Sequence, residues 1–130
     1  MISLIHCIAM YRCAMYHAAM KLTKDLMAAS AVPLLLSILE GGENYGYAII
    51  QKVRELSSGE IEWTDGMLYP VLHRLEAQGC VKSRWVEAES GRKRKYYSLN
   101  RKGAQLLAEQ KQQWSVVQST LLQLWGPNYA

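Results

Sequence analysis

Gly66-Met67-Leu68-Tyr69-Pro70-Val71-Leu72-His73-Arg74-Leu75-Glu76-Ala77-Gln78-Gly79, with Gly91-Arg92-Lys93-Arg94-Lys95-Tyr96-Tyr97 a short way on, decides the fold of this chain. Leu68, Leu72 and Leu75, joined by Val71, recur at helical spacing and form one apolar face. At about 100° per residue, Gly66, Tyr69, Pro70, His73 and Ala77 fall opposite, flanked by Met67 and Arg74. Thr64 or Asp65 can cap this helix through a side-chain oxygen, and Gly79 closes it. Pro70 is tolerable in the early turns, where few amides have helical partners. Cys80 to Glu87 then reads as a strand with β-formers Val81, Trp85 and Val86, Glu89-Ser90-Gly91 as a turn, and Arg94 to Leu99 as the return strand. A hairpin tip cannot bury four charges, so Arg92, Lys93, Arg94 and Lys95 must face solvent or a partner. Helix followed by basic hairpin is the layout of a winged helix-turn-helix, with the helix for a DNA groove and the wing beside it. On charge and pattern alone, a solvated hairpin after an ordinary amphipathic helix remains open.

Working outward, Asp25 to Glu40 carries Leu26, Met27, Leu34, Leu35, Ile38 and Leu39 at helical spacing. Pro33 costs about 3 kcal/mol in a helix interior, which predicts a break or kink near Val32. Gly41-Gly42 predicts a left-handed cap. A second helix is predicted over Tyr45 to Leu56, with Tyr45, Ile49, Val53 and Leu56 on one stripe, stopped by Ser57-Ser58-Gly59. Asn100 opens a long last helix to about Leu124, ended by Gly126-Pro127. In it Leu107, Trp114 and Leu121 lie seven apart, as do Gln110, Val117 and Leu124. So long an apolar stripe outruns a small core and marks a partner surface, for which a second copy is the simplest partner. Packing back on its own domain is the alternative.

These readings predict a mainly α fold with a small β-hairpin. Residues 1–20 form a disordered or non-native extension, 21–99 a winged helix-turn-helix DNA-binding domain, and 100–125 a C-terminal dimerisation helix. A chain of 130 residues supports one domain with a modest core. The net charge is only +4, but its distribution is uneven. Lys82 to Lys102 holds eight Lys/Arg against Glu87 and Glu89, a local +6 that leaves −2 for the remainder. A confined basic patch is the footprint expected on a polyanion. Cys7, Cys13 and Cys80 are odd in number, which argues against a disulfide framework and fits a reducing cytoplasm. No apolar run approaches the roughly 18 residues of a membrane span.

Met1 to Met10 is apolar and lacks an initial positive charge, which weakens a secretory reading; Met20 is the favoured start. His6, Cys7, Cys13 and His17 have no regular metal-ligand spacing, so no metal is assigned. There is no glycine-rich phosphate loop, no HExxH-type motif and no nucleophile beside a base. Neither an enzyme nor a cofactor is expected.

Taken together, the chain resembles a PadR-like transcriptional regulator of the short branch, with a single C-terminal helix. The resemblance spans Lys24 to Leu124. It rests on Tyr45-Gly46-Tyr47, Gly66-Met67-Leu68-Tyr69-Pro70, Arg74-Leu75-Glu76, Gly79, Trp85, and Gly91-Arg92 with Arg94-Lys95-Tyr96-Tyr97-Ser98-Leu99. Asp65 and Met67 stand where the family usually has proline and a small hydroxyl residue, so a phosphate or base contact is lost there. Pro33 within the first helix is a second departure.

The resemblance implies a cytoplasmic, homodimeric repressor on double-stranded DNA, reading an inverted repeat with half-sites about one helical turn apart. It places Tyr69, His73 and Arg74 at the groove, on the helix opened by Gly66, Met67 and Pro70. It places Arg92, Lys93, Arg94 and Lys95 on phosphates and the Tyr45 hydroxyl on the DNA backbone. Leu107, Gln110, Trp114, Val117, Leu121 and Leu124 would line the dimer interface. In the multidrug-sensing branch an aromatic in the same Trp-Ser-Val context stacks planar ligands, so Trp114 would hold a small aromatic effector; plain core is the alternative for it. A winged-helix protein-interaction module and a metal-sensing regulator using Cys7, Cys13 and the nearby histidines are the competing readings.

Overall fold

The computed structural model describes residues 21–126. The predicted N-terminal extension and the metal-sensing group of His6, Cys7, Cys13 and His17 lie outside the described residues. The chain runs α1 (Lys24–Glu40), β1 (Asn44–Tyr45), α2 (Gly46–Leu56), α3 (Asp65–Ala77), β2 (Val81–Glu87), β3 (Lys93–Leu99) and α4 (Arg101–Trp125). This is the expected mainly helical winged fold, with one strand more than expected.

α1 is entered through Thr23, whose side chain accepts from the Leu26 amide at 3.3 Å. The break predicted near Val32 does not occur: the helix runs on through Pro33. Proline removes one backbone donor, but Ala31, Leu35, Leu36, Ile38 and Leu39 are all buried around it. Each large buried side chain is worth about 1.5–3 kcal/mol, so packing along both halves outweighs the proline penalty. The helix ends with Gly41 still right-handed, and it is Gly42 that takes a positive φ of 140°.

Tyr45 is not the start of the second helix, as its spacing predicted. It is drawn into a short strand, where Asn44 faces Tyr97 and Tyr45 faces Tyr96. The result is a three-stranded antiparallel sheet in the order β1-β3-β2. A two-residue strand leaves no alternation to read, and only β3 in place defines it. α3 begins as expected on Thr64, whose hydroxyl oxygen accepts from the Met67 amide at 3.3 Å. β2 and β3 pair from Val81 opposite Leu99 to Glu87 opposite Lys93.

The core joins Leu35 and Leu36 of α1, Ile49 of α2, Leu68, Leu72 and Leu75 of α3, Val81 and Tyr97 of the sheet, and Leu107 of α4. Leu107 therefore corrects one expectation. At 1% exposure it is sealed in the core of its own chain and is unavailable to a partner. The root of α4 is held closely. A Cβ on Gly103 would lie 2.1 Å from the Cys80 carbonyl oxygen, an approach only glycine permits. Asn100 Nδ2 donates to the Gly79 carbonyl at 3.2 Å, and Lys111 Nζ donates to Glu40 Oε1 at 3.2 Å. Beyond Leu107 no described residue of α4 is buried.

Candidate nucleic-acid interface

Burial of Leu68, Leu72 and Leu75 turns the opposite side of α3 outward. Gly66, Pro70, His73 and Arg74 are exposed there, as the helical spacing predicted. Met67 and Tyr69 are not free on that face. Both are half-buried and pack against the core. The Tyr69 ring lies over α2, where a Cβ on Gly46 would come within 2.5 Å of the Tyr69 hydroxyl. Tyr45-Gly46-Tyr47 and Leu68-Tyr69-Pro70 therefore interlock, and the missing side chain of one motif seats the aromatic of the other. The His73 ring follows 6.3 Å from that of Tyr69.

The wing tip is set by a tight turn. The Ala88 amide donates to the Arg92 carbonyl at 2.9 Å and the Gly91 amide to the Ala88 carbonyl at 2.8 Å. Gly91 takes a φ of 81°, a left-handed value favouring glycine. Arg92, Lys93 and Arg94 project exposed from this end. Strand alternation divides the cations between two faces. The Arg94 guanidinium lies 4.6 Å from the centroid of the Tyr45 ring, and Tyr45 in turn packs against Tyr96 at 5.3 Å. Tyr45 thus supports a wing arginine from β1.

Lys95 does not belong with the free cations. It turns to the other face, half-buried, with Nζ 4.0 Å from Glu76 Oε1 and 5.6 Å from the Tyr97 ring centroid. Glu76 is the residue that sequence reasoning missed. Its second carboxylate oxygen accepts from the Ser83 hydroxyl, so one α3 side chain engages both β2 and β3. Only its place on the flank of the helix, one turn beyond Leu72, hinted at such a role. Tyr97 beneath it is buried, which raises its phenol pKa, and the charge of Glu76 and the neighbouring Tyr69 push the same way.

The basic segment is also less free than its composition suggests. Arg84 donates through two nitrogens to Glu43, with Nε to Oε2 at 2.9 Å. That hydrogen bond and the Arg84 charge hold the Glu43 carboxyl below its ordinary pKa, and Arg84 is raised reciprocally. Residues 43 and 84 carry no spacing signal that would connect them. On α4, Gln110, Trp114 and Leu121 are half-buried, while Val116, Val117, Leu124 and Trp125 are exposed. Among the described residues there is no cluster of His, Cys, Asp or Glu able to hold a metal, and no helix long and apolar enough to cross a membrane.

Comparison with known proteins supplies an independent line. The sequence pattern of the Transcriptional regulator PadR-like family matches residues 35–109. Over 88 residues the chain is 30% identical to Transcriptional regulator YqjI of Escherichia coli (strain K12), covering 68% of this chain and 41% of that one. It therefore spans less than half the length of that relative. A PadR family transcription regulator from Clostridium difficile R20291 is similar in structure, with a TM-score of 0.66 at 35% identity, over 75% of this chain and 99% of the other. One from Eggerthella lenta DSM 2243 gives 0.68 at 32%, over 79% and 88%. The matched residues begin in α1, pass through α3 and the wing, and end in the rooted part of α4, and on that ground the chain belongs to the PadR-like family of transcriptional regulators.

Proposed function

We propose that this protein is a cytoplasmic, homodimeric repressor that binds an inverted repeat in duplex DNA through α3 and the wing. The observation carrying this reading is the joint surface they make. Arg92, Lys93 and Arg94 are exposed on a hairpin that Glu76 fastens to α3, whose outward face offers Gly66, Pro70, His73 and Arg74. The wing cations meet phosphates and give affinity without choosing a sequence. His73 and Arg74 reach base edges. Met67 and Tyr69 shape the helix entry from their half-buried seats, and Tyr45 acts chiefly by supporting Arg94. Lys95 contributes through its contact with Glu76.

Pairing of two copies occurs through Gln110, Trp114, Val117, Leu121 and Leu124, of which Val117 and Leu124 are exposed and Trp114 and Leu121 only half-covered in the single chain. A planar aromatic effector stacks on Trp114 near the two-fold axis and releases the DNA. The direct test is binding to a labelled duplex from the gene's own upstream region across a salt series. The logarithm of affinity should fall steeply and linearly with that of salt concentration. Failure to retain the duplex even at low salt overturns the DNA-binding reading. Tryptophan quenching by a planar dye, absent in Trp114→Ala, tests the effector separately.

A further inference from the structure

One large aromatic on the wing is unused by the contacts above. Trp85 is 65% exposed on β2, and it stands opposite Lys95 as Glu87 stands opposite Lys93. Paired residues share a face of the sheet, so Tyr97 with Ser83, Lys95 with Trp85, and Lys93 with Glu87 form one continuous row. The row starts in the core at Tyr97, touches α3 where Ser83 and Lys95 meet Glu76, and emerges at the free end of the hairpin. Trp85 is its first uncovered member. Together with Glu87 and Lys93 it lines a shallow recess of about 400 Å³. The Lys95 ammonium stands 6.0 Å from the indole centroid, so the ring already carries a cation beside it.

We propose that Trp85 is a DNA-contacting residue that packs on the deoxyribose face of the duplex backbone, between phosphates held by the wing cations. The inference rests on the DNA-binding reading and deepens it. The argument is one of matched alternation. A nucleic-acid strand presents apolar sugar and anionic phosphate in turn, and this face of the wing presents an indole followed by the exposed Lys93 ammonium, with Arg94 exposed on the other side of the same strand and Arg92 exposed just before it. Glu87, the carboxylate in the recess, sits directly across from Lys93, whose charge offsets it. An indole left in water gains from covering its apolar face, and no described part of the chain covers this one.

Binding of the labelled upstream duplex, measured by fluorescence anisotropy across salt, separates this contact from a phosphate contact. Trp85→Ala should weaken binding about tenfold at fixed salt, from the lost apolar burial, with no change in salt slope. Lys93→Ala should instead lower that slope by about one. Trp85→Phe should keep most of the affinity, because a flat apolar ring remains. Unchanged affinity in Trp85→Ala overturns the proposal, as does a loss traced by sedimentation to weaker self-association. A wild-type protein with no salt-dependent binding overturns the DNA-binding reading itself, and the Trp85 contact with it.

Discussion

At Gly103 and Gly46 the chain leaves room that a single methyl group would take, and the two spaces differ in kind. Gly103 faces the backbone oxygen of Cys80, which cannot yield without moving β2. Gly103→Ala should therefore destabilise the protein by about 3 kcal/mol, the upper part of the usual overpacking range, read as a lower urea midpoint. Gly46 faces the far end of Tyr69, a side chain that can shift. Gly46→Ala should cost about 1 kcal/mol while weakening DNA binding, because the displaced ring disturbs the face of α3 beside His73. Tyr97 supplies a pH test. Its phenol is raised by burial, so the folded state holds the proton longer than the unfolded state does. That contribution is complete below the unfolded value near 10 and is lost as pH climbs from there towards the raised folded value. Tyr97→Phe should remove this part of the alkaline loss of stability in chemical denaturation, and at neutral pH it should cost little, since the hydroxyl has no hydrogen-bond partner among the described residues.

Elements differ in how much of them a one-dimensional pattern can announce. The apolar stripe of α3, its Thr64 cap and the turn at Gly91 rest on local spacing and local backbone demands, and these were readable. β1 was not, because two residues carry no periodicity and their pairing belongs to β3. The link from Glu76 to Ser83 and Lys95, and that from Glu43 to Arg84, join residues that only the folded chain brings together. Lys95 looked like its three basic neighbours for the same reason. Strand alternation divides such a run, and the face that met α3 claimed it. α1 errs in the opposite direction, since Pro33 announces a break that burial on both sides overrides. Pro33→Ala restores a backbone donor within the helix and should raise stability by about 1–2 kcal/mol, less than the full proline penalty because the unfolded chain also gains freedom. A thermal melt shows it.

For the molecule as a whole, α4 changes character along its length. Its first turns complete the core through Leu107, and the described residues of its remaining turns are half-buried or exposed. A sequence stripe does not distinguish these uses, which is why Leu107 was read with the residues beyond it. Val117→Glu combined with Leu124→Glu should leave the helical signal of the folded domain nearly unchanged, as both sites are exposed. In sedimentation the same variant should run as a monomer and lose most affinity for a two-half-site duplex. If it stays dimeric, the pairing surface lies elsewhere.

The tight seat of Gly103 on Cys80 has a mechanical corollary. A helix of this length extends about 37 Å at 1.5 Å per residue, and its base packs directly against the Cys80 carbonyl at the start of the wing. In a pair joined near the distal ends, a hinge-like rotation of about 10° between the two arms would change the separation of the two bases by roughly 6 Å on that lever. If two copies pair through α4 as proposed, that close contact would let a small event at the far end alter the spacing of the two α3 helices.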